Sequence, residues 1–105
     1  MISIAIPVGP HPSNTRWLGE CIASIAEQTM PVDDIVLVCD GADLDDRDYP
    51  TCRIYRPPWK LGVAHGFNFG VALAKHDLVI MLGSDDRLMP ECVAECWRTW
   101  QQIHD

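Results

Sequence analysis

The chain has 105 residues, enough for one compact domain and too few for two. Apolar residues make up 48% of it, which excludes a disordered chain, and no apolar run approaches the roughly 20 residues of a membrane span. Fifteen acidic against eight basic residues leave a net charge of −7, which argues against nucleic-acid binding and means that a phosphate ligand needs a cation to screen it. The opening Met1-Ile2-Ser3-Ile4-Ala5-Ile6 has no basic leader and is cut short by Pro7, so it does not read as a signal peptide, and the expected compartment is the cytoplasm.

Ile2 to Pro7 alternates large and small side chains and suits a buried strand. Gly9, Pro10, Pro12, Ser13 and Asn14 form a loop in which Ser13 or Asn14 can cap a helix. Leu18, Cys21, Ile22, Ile25 and Ala26 recur at helical spacing, and Pro31 helps to end that helix. Ile35 to Cys39 is a second buried strand, closed by Asp40-Gly41. The acidic run Asp43 to Asp48 reads as a solvated loop, and Cys52 to Tyr55 as a short third strand stopped by Pro57 and Pro58.

Val63 to Lys75 reads as a helix with Phe67, Val71 and Ala74 on one face. Gly66 and Gly70 weaken it, yet they permit close contact with a sheet. Leu78 to Leu82 fits a fourth strand and runs into Gly83-Ser84-Asp85-Asp86. Pro90 suits the first position of a last helix lined by Val93, Cys96, Trp97, Trp100 and Ile103. Strands alternating with helices imply an α/β sandwich with a mostly parallel sheet.

Such sheets bind ligands beyond the carboxyl ends of their strands. Three segments reach that rim: Pro7-Val8-Gly9, Asp40-Gly41 and Gly83 to Asp86. Adjacent carboxylates at Asp85 and Asp86 repel each other unless a cation sits between them and an anionic ligand, a role suited to Mg²⁺ or Mn²⁺. The competing reading is that they cap the helix that follows. Asp40 can accept a hydrogen bond from a base or ribose, or simply serve a turn before Gly41. His65 can approach a phosphate or lie at the surface, and Trp97 and Trp100 suit packing better than a substrate platform. The five cysteines are odd in number and lack CxxC spacing. Cys92 and Cys96, one helical turn apart with His104 on the same segment, lack a further partner for zinc and read as thiols.

These segments together resemble family 2 glycosyltransferases over nearly the whole chain. Ile2 to Val8 resembles the family's opening strand, and Leu18 to Pro31, with Ser24-Ile25 and Gln28-Thr29-x-Pro31, its first helix. Ile35 to Gly41 is similar to the segment that usually ends Asp-Asp-Gly-Ser. Leu61-Gly62-Val63-Ala64 with Asn68 and Gly70 is similar to the Gly-rich helix start, and Val79 to Asp86, continued by Leu88 and Pro90-Glu91, to the metal-binding strand end. Gly9, Cys39, Phe67 and Gly83 depart from the family's usual aromatic, aspartate, arginine and acidic residue.

The resemblance implies a GT-A (Rossmann-like) three-layer α/β/α fold, truncated to its nucleotide-sugar-binding half, with the first strand between the second and fourth. It implies a single domain over residues 1–105 that binds a nucleoside-diphosphate sugar, UDP-sugars first, with Mn²⁺ or Mg²⁺. Pro7 and Val8 would border the base, and Asp40 would contact the nucleoside. Asn68 would belong to the same site, Asp85 would lie near the ribose or metal, and Asp86 would be the main metal ligand. The base that deprotonates the acceptor hydroxyl would lie outside this chain. The alternatives are a non-catalytic nucleotide-sugar-binding module and a truncated interaction domain. A half-domain would also leave apolar surface on its last helix, for a homodimer or for a partner chain that completes the fold.

Overall fold

The computed structural model describes residues 1–104. Four strands, β1 (Ile2–Val8), β2 (Asp34–Cys39), β3 (Arg53–Tyr55) and β4 (Leu78–Met81), form one parallel sheet in the order β3-β2-β1-β4. The first strand thus lies between the second and the fourth, as the resemblance implies. Ser3 pairs with Asp34 and Val8 with Cys39 on one side of β1, and Ile2 pairs with Leu78 on the other. The shared direction brings the ends of β1, β2 and β4 to one rim.

Side chains alternate across a strand, so β1 serves two faces. Ile2, Ile4, Ile6 and Val8 point to one face and join Ile35 and Leu37 in the main core. Helix α2 (Leu18–Ala26) covers that face with Leu18, Cys21 and Ile25, and helix α4 (Cys92–His104) with Val93, backed by Cys96 and Trp97. Ser3, Ala5 and Pro7 point to the other face, where helix α3 (Val63–Leu73) lies. The result is the expected three-layer α/β/α arrangement.

Helix α3 packs through Gly66 and Gly70, its two buried residues, and not through the Phe67–Val71 stripe. Val71 is 45% exposed. A Cβ on Gly70 would stand 2.6 Å from the Ala5 Cβ, and one on Gly66 would stand 2.9 Å from the Pro7 Cβ. The helix rests on β1 with almost nothing between the backbones.

Two further expectations change. A short helix α1 (Pro12–Arg16) precedes α2, and its cap is His11, whose ring accepts from the Ser13 N–H; Ser13 and Asn14 lie inside the helix. Helix α4 begins at Cys92, so Pro90 stands two residues before it. The Pro90 carbonyl instead accepts the Thr29 N–H at 2.9 Å.

That contact belongs to a seam between the end of α2 and the segment after β4. Gln28 donates to the Ser24 and Met89 carbonyls and accepts the Val93 N–H at 2.9 Å, while Ser24 Oγ accepts the Leu88 N–H at 3.0 Å. At the opposite end of the sheet, Asp34 is almost fully buried. It accepts from Ser3 Oγ at 2.6 Å, the Lys75 N–H at 2.8 Å and the Arg53 guanidinium at 2.9 Å. Burial pushes the Asp34 carboxyl up, but these hydrogen bonds outweigh it and hold the group below the usual carboxylate range. No helix among the described residues is long and apolar enough to cross a membrane.

Candidate functional site

A cavity of about 150 Å³ opens at the carboxyl ends of β1, β2 and β4. Pro7 and Gly9 line it from the end of β1, Asp40 from the end of β2, and Ser84 and Asp85 from the segment after β4. Gly62, Val63 and Phe67 close it from the start of α3. The three rim segments read from the sequence therefore converge.

Asp40 is 4% exposed, and both its oxygens are engaged. Oδ1 accepts the Leu61 N–H and Oδ2 the Gly62 N–H, each at 2.8 Å. Gly62 sits at φ +82°, where a side chain would be strained, and its carbonyl accepts the Gly66 N–H that opens α3. Asp40 thus ties the end of β2 to the N-terminus of α3. A carboxylate offers about four acceptor sites, so a ligand donor can still reach it. The turn reading of Asp40 has a counterpart in the adjoining Gly41, at φ +79°.

Val8 and Asn68 do not line this cavity. The Val8 side chain is wholly buried in the main core, and its carbonyl accepts the Asp40 N–H at 2.8 Å. Asn68 is exposed on α3. The alternation of β1 already turns Val8 away from the face that Pro7 occupies. His65 is also off the cavity, its ring hydrogen-bonded to the Leu61 carbonyl at 3.0 Å.

Asp85 and Asp86 are exposed and bend back over Gly83. A Cβ on Gly83 would stand 2.6 Å from Asp86 Oδ2 and 3.3 Å from Asp85 Oδ1. The bare glycine therefore gives both carboxylates the same space. The Asp86 N–H closes a turn onto the Gly83 carbonyl at 3.1 Å. Because α4 begins only at Cys92, neither aspartate caps it. Behind the pair, Cys21 Sγ donates to the Gly83 carbonyl at 3.7 Å. Its thiol is pushed up to about 12, chiefly by burial and then by the charges of Asp86, Cys52 and Asp85.

The arrangement fits a hard divalent cation held from one side. Two carboxylates share the space over Gly83, and no group of three or more His, Cys, Asp or Glu suited to a metal occurs among the described residues. Mg²⁺-type sites commonly use one or two carboxylates and complete the shell with phosphate oxygens and water. The other metal candidate does not assemble: Cys92 and Cys96 are half-buried on α4, while the His104 ring stacks on Trp100 at 3.7 Å.

Sequence reading singled out the carboxylates but not what holds them. Ser24 of α2 and Gln28, two residues past its end, were quoted above only as points of resemblance, and they stitch down the segment that follows Asp86. The signal at Ser24 was a half-buried polar residue beside the apolar stripe of α2.

A family model described as Glycosyl transferase family 2 matches residues 14–105. An uncharacterized glycosyltransferase of Haemophilus influenzae is 28% identical over 86 residues, covering 74% of this chain and 32% of that protein. Among solved structures, S. aureus TarS 1–349 in complex with UDP-GlcNAc superposes with a TM-score of 0.83 at 18% identity. Its complex with UDP superposes with a TM-score of 0.82 at 18% identity. Each match covers 98% of this chain and 32% of the TarS chain. The chain thus spans about a third of the length of these relatives.

Proposed function

The chain belongs to glycosyl transferase family 2 and has the GT-A type of three-layer fold, and on that premise we propose that it binds a nucleoside-diphosphate sugar, with a UDP-sugar first in line, for transfer to an acceptor hydroxyl. The observation that carries this reading is the convergence of Pro7, Asp40 and Asp85 on one cavity at the strand ends, with the Asp85–Asp86 pair at its edge. TarS, a solved neighbour, was determined in complex with UDP-GlcNAc and with UDP.

In this reading Pro7 and Phe67 border the base, and Asp40 accepts from the nucleoside while holding α3 in place. Asp86 and Asp85 would hold Mn²⁺ or Mg²⁺, and the group would supply positive charge to offset the negative charge gained by the leaving diphosphate. In transfer, the bond from the anomeric carbon to the diphosphate breaks and its electron pair stays with the diphosphate. The acceptor oxygen bonds to that carbon and passes its proton to a general base, which the family resemblance places outside these residues.

The apolar strip beside β4 supports a second element, a homodimer. Ile103 is 72% exposed, and Leu78, Trp100 and Ile103 line one open cavity of about 350 Å³. Strand β4 has a neighbour on one side only. Light scattering over a dilution series tests the dimer, and a monomer at every concentration counts against it.

Calorimetric titration with UDP- and GDP-sugars, with and without Mn²⁺, tests the main reading. Metal-dependent binding of one nucleotide class is the expected result. No binding of either class with Mn²⁺ present would overturn it.

A further inference from the structure

Asp85 lines two cavities. One is the cavity at the strand ends. The other, of about 340 Å³, is lined by Trp17, Glu20, Asp85 and Arg87. We infer that this second cavity is a subsite for the acceptor, and that the acceptor is an oligosaccharide. The inference rests on the nucleotide-sugar reading above for its direction, but it makes a claim of its own about ligand class and place.

The volume falls within the roughly 300–1,000 Å³ of small-molecule sites. Its lining suits a pyranose, which offers one apolar C–H face and a ring of hydroxyls. Trp17 supplies the apolar surface: it is 44% exposed although it is the largest kind of side chain. The Arg16 guanidinium lies 5.0 Å from its ring centroid and steadies it.

Glu20 and Arg87 supply the polar contacts. They face each other at 3.6 Å, and both are at least half exposed. A pair this long and this wet contributes little to folding. Its acceptor and its donors are therefore free to exchange each other for sugar hydroxyls at small cost.

Position supports the same assignment. Transfer requires the acceptor oxygen to come within about 3–3.5 Å of the donor carbon. Ligands in two cavities that share Asp85 as a lining residue are neighbours, as such an approach requires. The depression also continues along α2 into a further cavity of about 470 Å³, which shares Glu20 and Arg87 and reaches Met89 and Pro90. That length suits a chain of sugars over a single one.

Saturation-transfer NMR on the whole chain tests the inference. The probes are neutral glucose, galactose and N-acetylglucosamine oligosaccharides of one to three units, each with and without UDP and Mn²⁺. At least one series should bind, more strongly as the chain lengthens. Trp17→Ala should weaken that binding about tenfold, as truncating an aromatic anchor does. Glu20→Gln and Arg87→Ala, which leave the helix junction at Trp17 untouched, should weaken it as well. UDP affinity should be unchanged in Trp17→Ala. No binding in any series, or binding indifferent to all three substitutions, would overturn the inference. Absence of UDP binding in the wild type, with Trp17-dependent sugar binding present, would instead sink the nucleotide-sugar reading and the acceptor role with it, and leave an oligosaccharide site at this cavity standing.

Discussion

Gly70 of α3 lies directly on Ala5 of β1, so closely that a Cβ on the glycine would stand 2.6 Å from the alanine Cβ. Alanine at position 70 would gain roughly 1 kcal/mol of helix propensity. Overpacking against the strand costs roughly 1–3 kcal/mol and should win, because the sheet cannot yield locally. Gly70→Ala should therefore lower stability in urea by about 1 kcal/mol or more. Adding Ala5→Gly should recover part of the loss. A stabilised single variant would show that α3 does not rest on the sheet this closely.

Asp40 bears on stability as well as on ligand. Asp40→Ala leaves the Leu61 and Gly62 N–H groups without their acceptors. Hydrogen bonds to a charged group contribute roughly 1.5–3 kcal/mol each, so a loss of at least about 2 kcal/mol is expected by chemical denaturation. Amide exchange at Leu61 and Gly62 should speed up before the rest of α3. Unchanged exchange there would refute the tie between β2 and α3.

At the carboxylate pair, Asp86→Ala should reduce UDP-sugar affinity in Mn²⁺ far more than in EDTA, with the fold intact. Gly83→Ala makes a sharper test. Its new methyl group occupies the space the two carboxylates share, and flexible side chains can move away from it. Stability should change by less than about 1 kcal/mol, while Mn²⁺-dependent affinity falls. Equal Mn²⁺ dependence in Gly83→Ala and wild type would count against a cation at that place.

Asp34 predicts an acid limit to stability. Its carboxyl is held below its unfolded value, which is about 3.9. The stabilisation is therefore complete above pH 4 and is lost as pH falls through the lower folded value. Asp34→Asn should cost roughly 2–4 kcal/mol at pH 7, since Arg53 and the buried Ser3 lose their charged partner. It should also flatten the fall in stability below pH 4. An equally steep acid limb in the variant would place the acid sensitivity elsewhere.

Much of the frame was legible in the sequence because its signals are local. The apolar runs of β1, β2 and β4 and the stripe of α2 each announce their own element. The packed face of α3 was only faintly legible, for a physical reason. Periodicity weighs side chains that are present, whereas this interface is made by their absence at Gly66 and Gly70. The cap at His11 and the late start of α4 escaped because Ser13, Asn14 and Pro90 carry strong terminal preferences that tertiary contacts override. Asp34 gave only a faint signal, a carboxylate at the first position of a buried strand, and its meaning depends on the register that sets it opposite Ser3. Asp40 was found for its place at a strand end, but its grip on Leu61 and Gly62 spans more than twenty residues of chain and has no local trace.

On the proposed nucleotide-sugar reading, the exposed carboxylates of Asp85 and Asp86 also govern how the ligand arrives. On a chain of net charge −7 they set an electrostatic barrier in front of an incoming diphosphate. Without divalent cations, added monovalent salt should then speed the encounter by screening repulsion, the reverse of the usual trend for anion-binding proteins. Manganese should remove both the barrier and the salt effect. The order of arrival follows from this: cation first or cation together with nucleotide, seldom nucleotide alone.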